Sequence, residues 1–435
     1  MKPNLTRREF IRRASLATAG TFFLSRNLSL GKISANDRLN IGIIGVAQQG
    51  NYNMSNVAGE NIVALCDVDE NFLAAAARKY TQAKKYADFR RLLEQKDIDA
   101  VVISTPDHTH AVAAVAALKS GRHVYCEKPL TRTISECRIV TELARKKKLI
   151  TQIGTQIHSG NNYHQVVEKI QKGEIGAVNE VHVWVSATYG GKDAPKDTPP
   201  IPKGLNYDLW LGPVQERPYH PDYLPFHWRN WWAFGGGALA DIGCHYMDLP
   251  HWALGIRDPL SAEAEGPPVH ADSTPPWMIV RYEYNPSAIF PRHRERQPLK
   301  LTWYHGGKKP AFLPQKISDT WQSGVLFIGE KGMLLSDYMR HCVMRENDFK
   351  DYSEPLKIPS DFSQHHKEWI QCVKSGKPAS SDFSYSGPLT EAALLGNVAY
   401  RAGKKIEWDS KNLRARNCPE AERFIHHHYR KGWKI

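Results

Sequence analysis

Hydrophobic and polar positions fall into two textures along this chain. Between residues 36 and 158, short β-rich runs alternate with helical ones. Leu39–Ile44 is a strand by composition and leads into a glycine-bearing turn. Asn61–Cys66 is the next strand, ending at Asp67, and the alanine-rich Phe72–Tyr80 is a helix. Ala100–Ile103 is a continuous apolar run, the pattern of a parallel strand buried on both faces. Ala111–Lys119 forms a helix that stops at Gly121. His123–Cys126 is a strand broken at Pro129, Ser135–Lys148 a helix, and Leu149–Ile153 a strand again. Repeated strand–helix units predict a doubly wound parallel sheet covered by helices on both faces.

From about residue 159 the pattern changes. Tyr163–Lys172 reads as a helix, and Glu180–Val185 alternates like a strand with one wet face. Residues 190–225 are rich in Pro, Gly and Asp and read as a long loop. Gly235–Leu254 is helical after a glycine run. Strand-like runs such as Met278–Tyr284 and Val325–Ile328 fill 260–350, and Ser363–Ser375 and Pro388–Ala402 are late helices. This predicts an α+β domain with a large, mostly antiparallel open sheet. The charged stretch 409–435, with His426-His427-His428, reads as an extended surface tail rather than a metal site. The boundaries are therefore 36–158 for the first domain, 159–408 for the second, and 409–435 for the tail.

The length of 435 residues agrees with two or three domains. Apolar residues at 41% and charged residues at 24% exclude a disordered, collagenous or coiled-coil chain. The net charge of +13 owes much to the N-terminus. Thr6-Arg7-Arg8-Glu9-Phe10-Ile11-Arg12 fits the twin-arginine export pattern, followed by a mildly apolar stretch to Leu24 and a small-residue stop at Ser34-Ala35. A chance basic tail would not explain both the full consensus and its position. Removing residues 1–35 takes away seven basic residues and one acidic, lowering the charge from +13 to +7. The other basic residues are scattered, so a solvated face is expected and a nucleic-acid site is not. No window is long and apolar enough for a membrane span. Seven scattered cysteines without a C-x-x-C pair suit a protein that folds with free thiols before export, and give no structural zinc site.

The turn after the first strand reads Gly45-Val46-Ala47-Gln48-Gln49-Gly50, a G-x-G-x-x-G pattern with Ala47 in the middle glycine's place. Gly45 permits the tight turn, Gly50 permits close helix–sheet packing, and the backbone of Val46, Ala47 and Gln49 lies where a pyrophosphate approaches. Asp67 ends the second strand, 22 residues after Gly45. A carboxylate there accepts from adenosine ribose hydroxyls and repels a 2′-phosphate, which favours NAD over NADP. A helix cap is the competing role for Asp67, and the two are compatible. Ser104-Thr105-Pro106-Asp107-His108-Thr109-His110 follows a buried strand, so Thr105, Pro106 and His110 are placed at the ligand crevice; turn chemistry alone would also account for Thr-Pro-Asp.

Glu127-Lys128-Pro129 ends another strand and points Lys128 into the same crevice. Far downstream, Gly235-Gly236-Gly237-Ala238-Leu239-Ala240-Asp241-Ile242-Gly243-Cys244-His245-Tyr246-Met247-Asp248 places Asp241 and His245 four residues apart, on one face of a helix. A helical pair of this kind is usually a surface pair and occasionally two metal ligands; no further ligand spacing supports a metal. Together these pieces resemble the glucose–fructose oxidoreductase/inositol dehydrogenase (Gfo/Idh/MocA) family over nearly the whole chain after the signal. The resemblance implies a Rossmann domain, then an α/β domain whose open sheet often serves homo-oligomerisation as a dimer or tetramer. It implies catalytic roles for Lys128, Asp241 and His245, cofactor contacts at Glu127 and Lys128, and a cis bond before Pro129.

The chemistry is consistent with that resemblance. Oxidising a carbinol releases a hydroxyl proton, which His245 or Lys128 takes, while the other steadies the oxygen. Asp241 is placed to orient His245. Gln156, at the domain junction, stands where many relatives carry an Asn that approaches the cofactor; Ile157 and His158 replace a basic pair there. His158 and Tyr163 are candidate substrate residues. So are Arg229, Trp231 and Trp232, since indoles stack on sugar C–H faces, although a core role for any one tryptophan is equally compatible with the pattern.

Twin-arginine export carries folded proteins, so NAD loaded in the cytoplasm would travel bound to a periplasmic enzyme. That expectation favours tightly held NAD and net oxidoreduction of a carbohydrate. Two alternatives stand beside it. One is a redox-neutral NAD-dependent glycoside hydrolase, which oxidises a sugar transiently to permit elimination. The other is a non-catalytic sugar- or NAD-binding protein.

Overall fold

The computed structural model describes residues 38–285, 298–345 and 348–435. The twin-arginine pattern and its cleavage point lie outside them. Among the described residues the first lobe carries six strands: β1 (Asn40–Ile44), β2 (Asn61–Cys66), β3 (Lys84–Tyr86), β4 (Ala100–Ile103), β5 (His123–Glu127) and β6 (Thr151–Gly154). All pair in parallel, in the order β3-β2-β1-β4-β5-β6. The order reverses beside β1, and the crevice at that switch point lies outside the strands' carboxyl ends. Side-chain alternation explains why these runs are apolar throughout. In β4, Ala100 and Val102 face one core while Val101 and Ile103 face the other. Local signals set the flanking helices. Asp69 accepts from the Asn71 and Phe72 amides ahead of helix Glu70–Lys79, and Thr133 and Glu136 form a reciprocal capping box ahead of Ile134–Lys147.

The second lobe carries β7 (Val178–Trp184), β8 (Pro259–Glu265), β9 (Met278–Tyr284), β10 (Leu299–His305), β11 (Gly324–Gly329), β12 (Gly332–Ser336), β13 (His341–Met344), β14 (Ile406–Asp409) and β15 (Arg414–Ala415). They form one sheet, β13-β12-β11-β7-β10-β9-β8-β14-β15, antiparallel except for the β7–β10 pair. Helix Phe383–Ala402 starts five residues before the expected Pro388, with that proline in its second turn. The lobes do not divide cleanly in sequence. Trp369 and Val373, on helix Gln364–Ser375, bury themselves in the core under β1 and β4, and the amide of Ile153 in β6 donates to Ser381.

Two stretches depart from the expected pattern. The loop 190–225 holds a short helix, Tyr207–Leu211, and is pinned to the first lobe: the Glu70 amide donates to Gly204 and the Asn206 amide to Val68. The 409–435 segment is not an extended surface tail. Cys418, Ala421 and Ile425 are fully buried, and the chain then returns to the first lobe, where Tyr429 donates to Glu136 at 2.8 Å. Its charged residues mask a buried apolar set at 418, 421 and 425, spaced three and four apart. All seven cysteines are free. Among the described residues, no helix is long and apolar enough to cross a membrane.

Candidate active site

A cleft of about 380 Å³ runs along the carboxyl ends of the parallel strands. Gly45, Ala47 and Gln49 line its floor, Asp67 and Phe72 one end, and Glu127, Lys128 and Arg229 the other, with Thr105, Pro106 and Asp107 between. Gly45 sits at φ +85°, and a Cβ there would lie 2.7 Å from the Ser104 carbonyl oxygen. That close approach accounts for the first glycine of the turn. Asp67 accepts from the Val46 amide at 3.0 Å and the Asp69 amide at 3.0 Å. Burial raises its pKa, against those backbone bonds.

At the edge of the cleft, Glu127 is buried. Its Oε1 accepts from Gln49 (3.1 Å), Asn53 (2.8 Å) and Gln156 (2.8 Å), and Gly154 is the residue that leaves it room, since a Cβ there would fall 2.4 Å from Oε1. Gln156 also donates to the Tyr125 hydroxyl. It is thus a partner of Glu127 rather than part of the cleft lining.

The reactive end joins the two lobes. Lys128 forms an ion pair with Asp241, from helix Gly237–Tyr246. Asp241 also faces Arg229 Nε at 3.0 Å and accepts from the Tyr189 hydroxyl at 2.9 Å. Burial alone would raise the Asp241 pKa, but Lys128 and Arg229 hold it well below the carboxylate range. Arg229 itself stacks on Trp228, 4.0 Å from guanidinium carbon to ring centre. His245 lies one turn beyond Asp241. Its Nδ1 is buried without a hydrogen-bond partner, and burial followed by the Lys128 charge pushes its pKa down to about 3. The imidazole is therefore neutral at ordinary pH. Asp241 does not bond His245, contrary to the expected orienting role, because two cations and a phenol already occupy its oxygens. The Lys128–Pro129 peptide is cis.

Several expected residues are placed away from the cleft lining. Both ring nitrogens of His110 meet backbone carbonyls, Pro129 at 2.7 Å and Thr105 at 2.8 Å. Val46 turns its side chain into the core, and Gly50 packs its Cα 's space against the Gly45 carbonyl. His158 pairs with Asp248 at 2.9 Å and stacks on Trp252. Tyr163 is fully buried, its hydroxyl donating to the His245 carbonyl. Trp231 is fully buried and donates to Asp222, while Trp232 donates to His270. For Trp231 and Trp232 the core reading fits, because each indole N–H is committed to a backbone carbonyl; the Tyr163 hydroxyl is likewise spent on backbone, and His158 on a carboxylate.

Three site residues escaped the sequence reading. Tyr189 follows a predicted strand, which was a usable signal. Asn53 lies on the first helix with no pattern to mark it. Asp107 is buried in the cleft wall, neither oxygen with a hydrogen-bond partner, and burial pushes its pKa up to about 8 against the pull of Arg229. Among the described residues no group of three or more His, Cys, Asp or Glu side chains is arranged to hold a metal.

Comparison with known proteins adds family to geometry. A profile described as an oxidoreductase family NAD-binding Rossmann fold matches residues 39–155, and the family's C-terminal alpha/beta domain matches 169–307. The inositol 2-dehydrogenase of Salmonella typhimurium is 37% identical over 150 residues, 33% of this chain. The chain spans 45% of that relative's length, under half. The myo-inositol 2-dehydrogenase of Thermotoga maritima is 28% identical over 85% of this chain and 96% of its own. A levoglucosan dehydrogenase solved with NADH and levoglucosan superposes with TM-score 0.62 at 15% identity, over 85% of this chain and 99% of that one, a likeness of fold.

Proposed function

We propose, from the premise that this chain belongs to the GFO/IDH/MocA oxidoreductase family, that it oxidises or reduces a carbinol carbon of a sugar, polyol or glycoside, using NAD in the cleft. The observation that carries this reading is Lys128, an ammonium in the cleft lining held from the opposite lobe by Asp241. The cleft fits a dinucleotide. The Gly45 turn is drawn tight against the Ser104 backbone, and the buried Thr105 hydroxyl and Asp107 carboxyl in the cleft wall have no partner within the protein. Gly45, Ala47 and Gln49 would hold the pyrophosphate, Asp67 the adenosine ribose, and Thr105 and Pro106 the middle of the molecule. When bound, the nicotinamide supplies the hydride acceptor or donor.

The protein's own residues divide the proton work. An ammonium paired with a carboxylate is a donor, so Lys128 bonds the substrate oxygen and stabilises its developing charge. His245, a neutral imidazole one turn beyond Asp241, accepts the hydroxyl proton at Nε2, since its Nδ1 is buried. Arg229, in the cleft lining, meets the remaining substrate hydroxyls. Asp67 favours NAD, and tight binding accords with twin-arginine export of the folded protein to the periplasm, read from residues 6–12. Mass spectrometry of the denatured protein checks for released dinucleotide. Absorbance of NADH growing with free sugars supports net oxidoreduction; aglycone released from aryl glycosides over many turnovers, without NADH, would replace it with the redox-neutral hydrolase. No turnover and no dinucleotide would overturn the proposal.

A further inference from the structure

The C-terminal segment takes no part in the proton chemistry. After the buried Ile425 it crosses the outside of the cleft and makes a dense set of polar contacts with the loop that walls it. Arg430 is buried, and its guanidinium pairs with Asp208 Oδ1 at 2.6 Å and donates to the Gly212 carbonyl at 3.1 Å. The Arg430 amide donates to Pro213 at 2.9 Å. That loop contributes Leu205, Leu209 and Trp210 to the cleft lining. Beyond Arg430 the chain turns, and Trp433 itself enters the lining beside Asp88 and Phe89. The Arg90 guanidinium stands 4.6 Å from the Trp433 ring centre, and the Phe89 ring 6.1 Å from it. Asp88 and Phe89 follow β3, next to β2 and Asp67 and at the opposite end of the cleft from Lys128. Trp433 therefore borders the region beyond the ribose-binding carboxylate, where a purine would lie.

We propose that the C-terminal segment is a cofactor latch: Trp433 closes the adenosine end of the cleft by stacking on the purine, and Arg430 fastens the 202–214 wall over it. The proposal rests on the reading that the cleft holds a dinucleotide. A planar indole backed by a guanidinium offers a stacking face to a base. A fastened wall slows escape, which is what an exported enzyme needs if its cofactor is loaded only once.

The test uses the full chain stripped of cofactor, with ADP-ribose as a probe of the adenosine half and nicotinamide mononucleotide as a probe of the other half. Trp433→Ala should weaken ADP-ribose roughly tenfold or more, the loss of one base–aromatic stack, and leave nicotinamide mononucleotide and the thermal midpoint unchanged. Trp433→Phe should retain most of the affinity. Arg430→Ala should speed NAD release from the loaded protein while the ring face remains. Equal ADP-ribose affinity in Trp433→Ala overturns the latch. So does an equal loss for both probes, which would mean a general effect on the fold. If the unsubstituted protein binds neither ADP-ribose nor NAD, the dinucleotide reading falls first and the latch with it.

Discussion

Lys128 and Asp241, 113 residues apart in sequence, form an ion pair whose side chains are only 12% and 6% exposed. One comes from the end of β5 and the other from helix Gly237–Tyr246, so the pair couples the two lobes at the reactive end of the cleft. Its partners are unequal. Asp241 retains Arg229 and Tyr189 if Lys128 is lost, whereas Lys128 and Arg229 lose their shared anion if Asp241 is lost. Lys128→Met should therefore lower kcat by about 10²–10⁴-fold, the scale of a positioned proton-bonding group, with NAD still bound. Asp241→Asn should also destabilise the fold by about 3–5 kcal/mol, the scale of a broken buried pair, and by more than Lys128→Met does. Steady-state kinetics and urea denaturation of the two variants check both outcomes; an unchanged kcat in Lys128→Met removes the lysine from the chemistry.

The neutral state of His245 predicts an unusual pH profile. Its pKa in the fold is pushed down to about 3, first by burial and then by Lys128, against about 6.5 in an unfolded chain. A base is active above its pKa, so imidazole protonation removes no rate between pH 8 and pH 5. The same depression makes the folded state bind fewer protons, and its stability is lost as pH falls below the unfolded value. The kcat/KM profile of the NAD-loaded enzyme should carry no limb near pH 6.5. A limb there that vanishes in His245→Gln would show an imidazole titrating freely.

Asp107 works in the opposite direction. Burial raises its carboxyl pKa to about 8, and the Arg229 and Lys128 charges only partly offset this. The folded state then binds a proton that the unfolded state has released above its carboxylate pKa of about 3.9. Stability falls as pH rises from there toward 8. Asp107→Asn removes this titration, so its melting temperature should approach that of the unsubstituted protein at pH 4 and exceed it increasingly up to pH 8. Parallel melting curves across that range would contradict a neutral buried acid at this position.

The parallel sheet was legible because both its faces are buried, so β1, β2, β4 and β5 read as continuous apolar runs of the right length. Lys128, Asp241 and His245 were legible as motif residues, but not their bonding. Which oxygen Asp241 shares with Lys128, Arg229 and Tyr189 depends on three distant segments meeting. Aromatic side chains misled for a physical reason: an indole or phenol that stacks on sugar and one that fills a core look alike in sequence. Tyr163 exposes the difference, since its hydroxyl is spent on the His245 carbonyl. Tyr163→Phe should accordingly leave KM unchanged and cost about 1 kcal/mol of stability, the net worth of one hydrogen bond. Substrate-titrated kinetics and urea denaturation test this; a raised KM with intact stability would return Tyr163 to the substrate side. The C-terminal segment was illegible because its anchors, Arg430 and Trp433, are spaced singly among charged residues.

Asp67 should govern cofactor choice. Its carboxylate lines the cleft and is fixed by the Val46 and Asp69 amides. An anion fixed by two backbone amides cannot turn away from a 2′-phosphate, so NADP should bind far more weakly than NAD. Asp67→Ser removes the charge while its hydroxyl can still accept one backbone bond. It should therefore weaken NAD, narrow the NAD-to-NADP ratio by roughly tenfold or more, equivalent to about 1.4 kcal/mol, and leave the substrate KM unchanged. Titration of both cofactors against stripped protein measures the ratio. An unchanged ratio would mean that discrimination lies elsewhere in the cleft, and equal affinities in the unsubstituted protein would withdraw the preference for NAD.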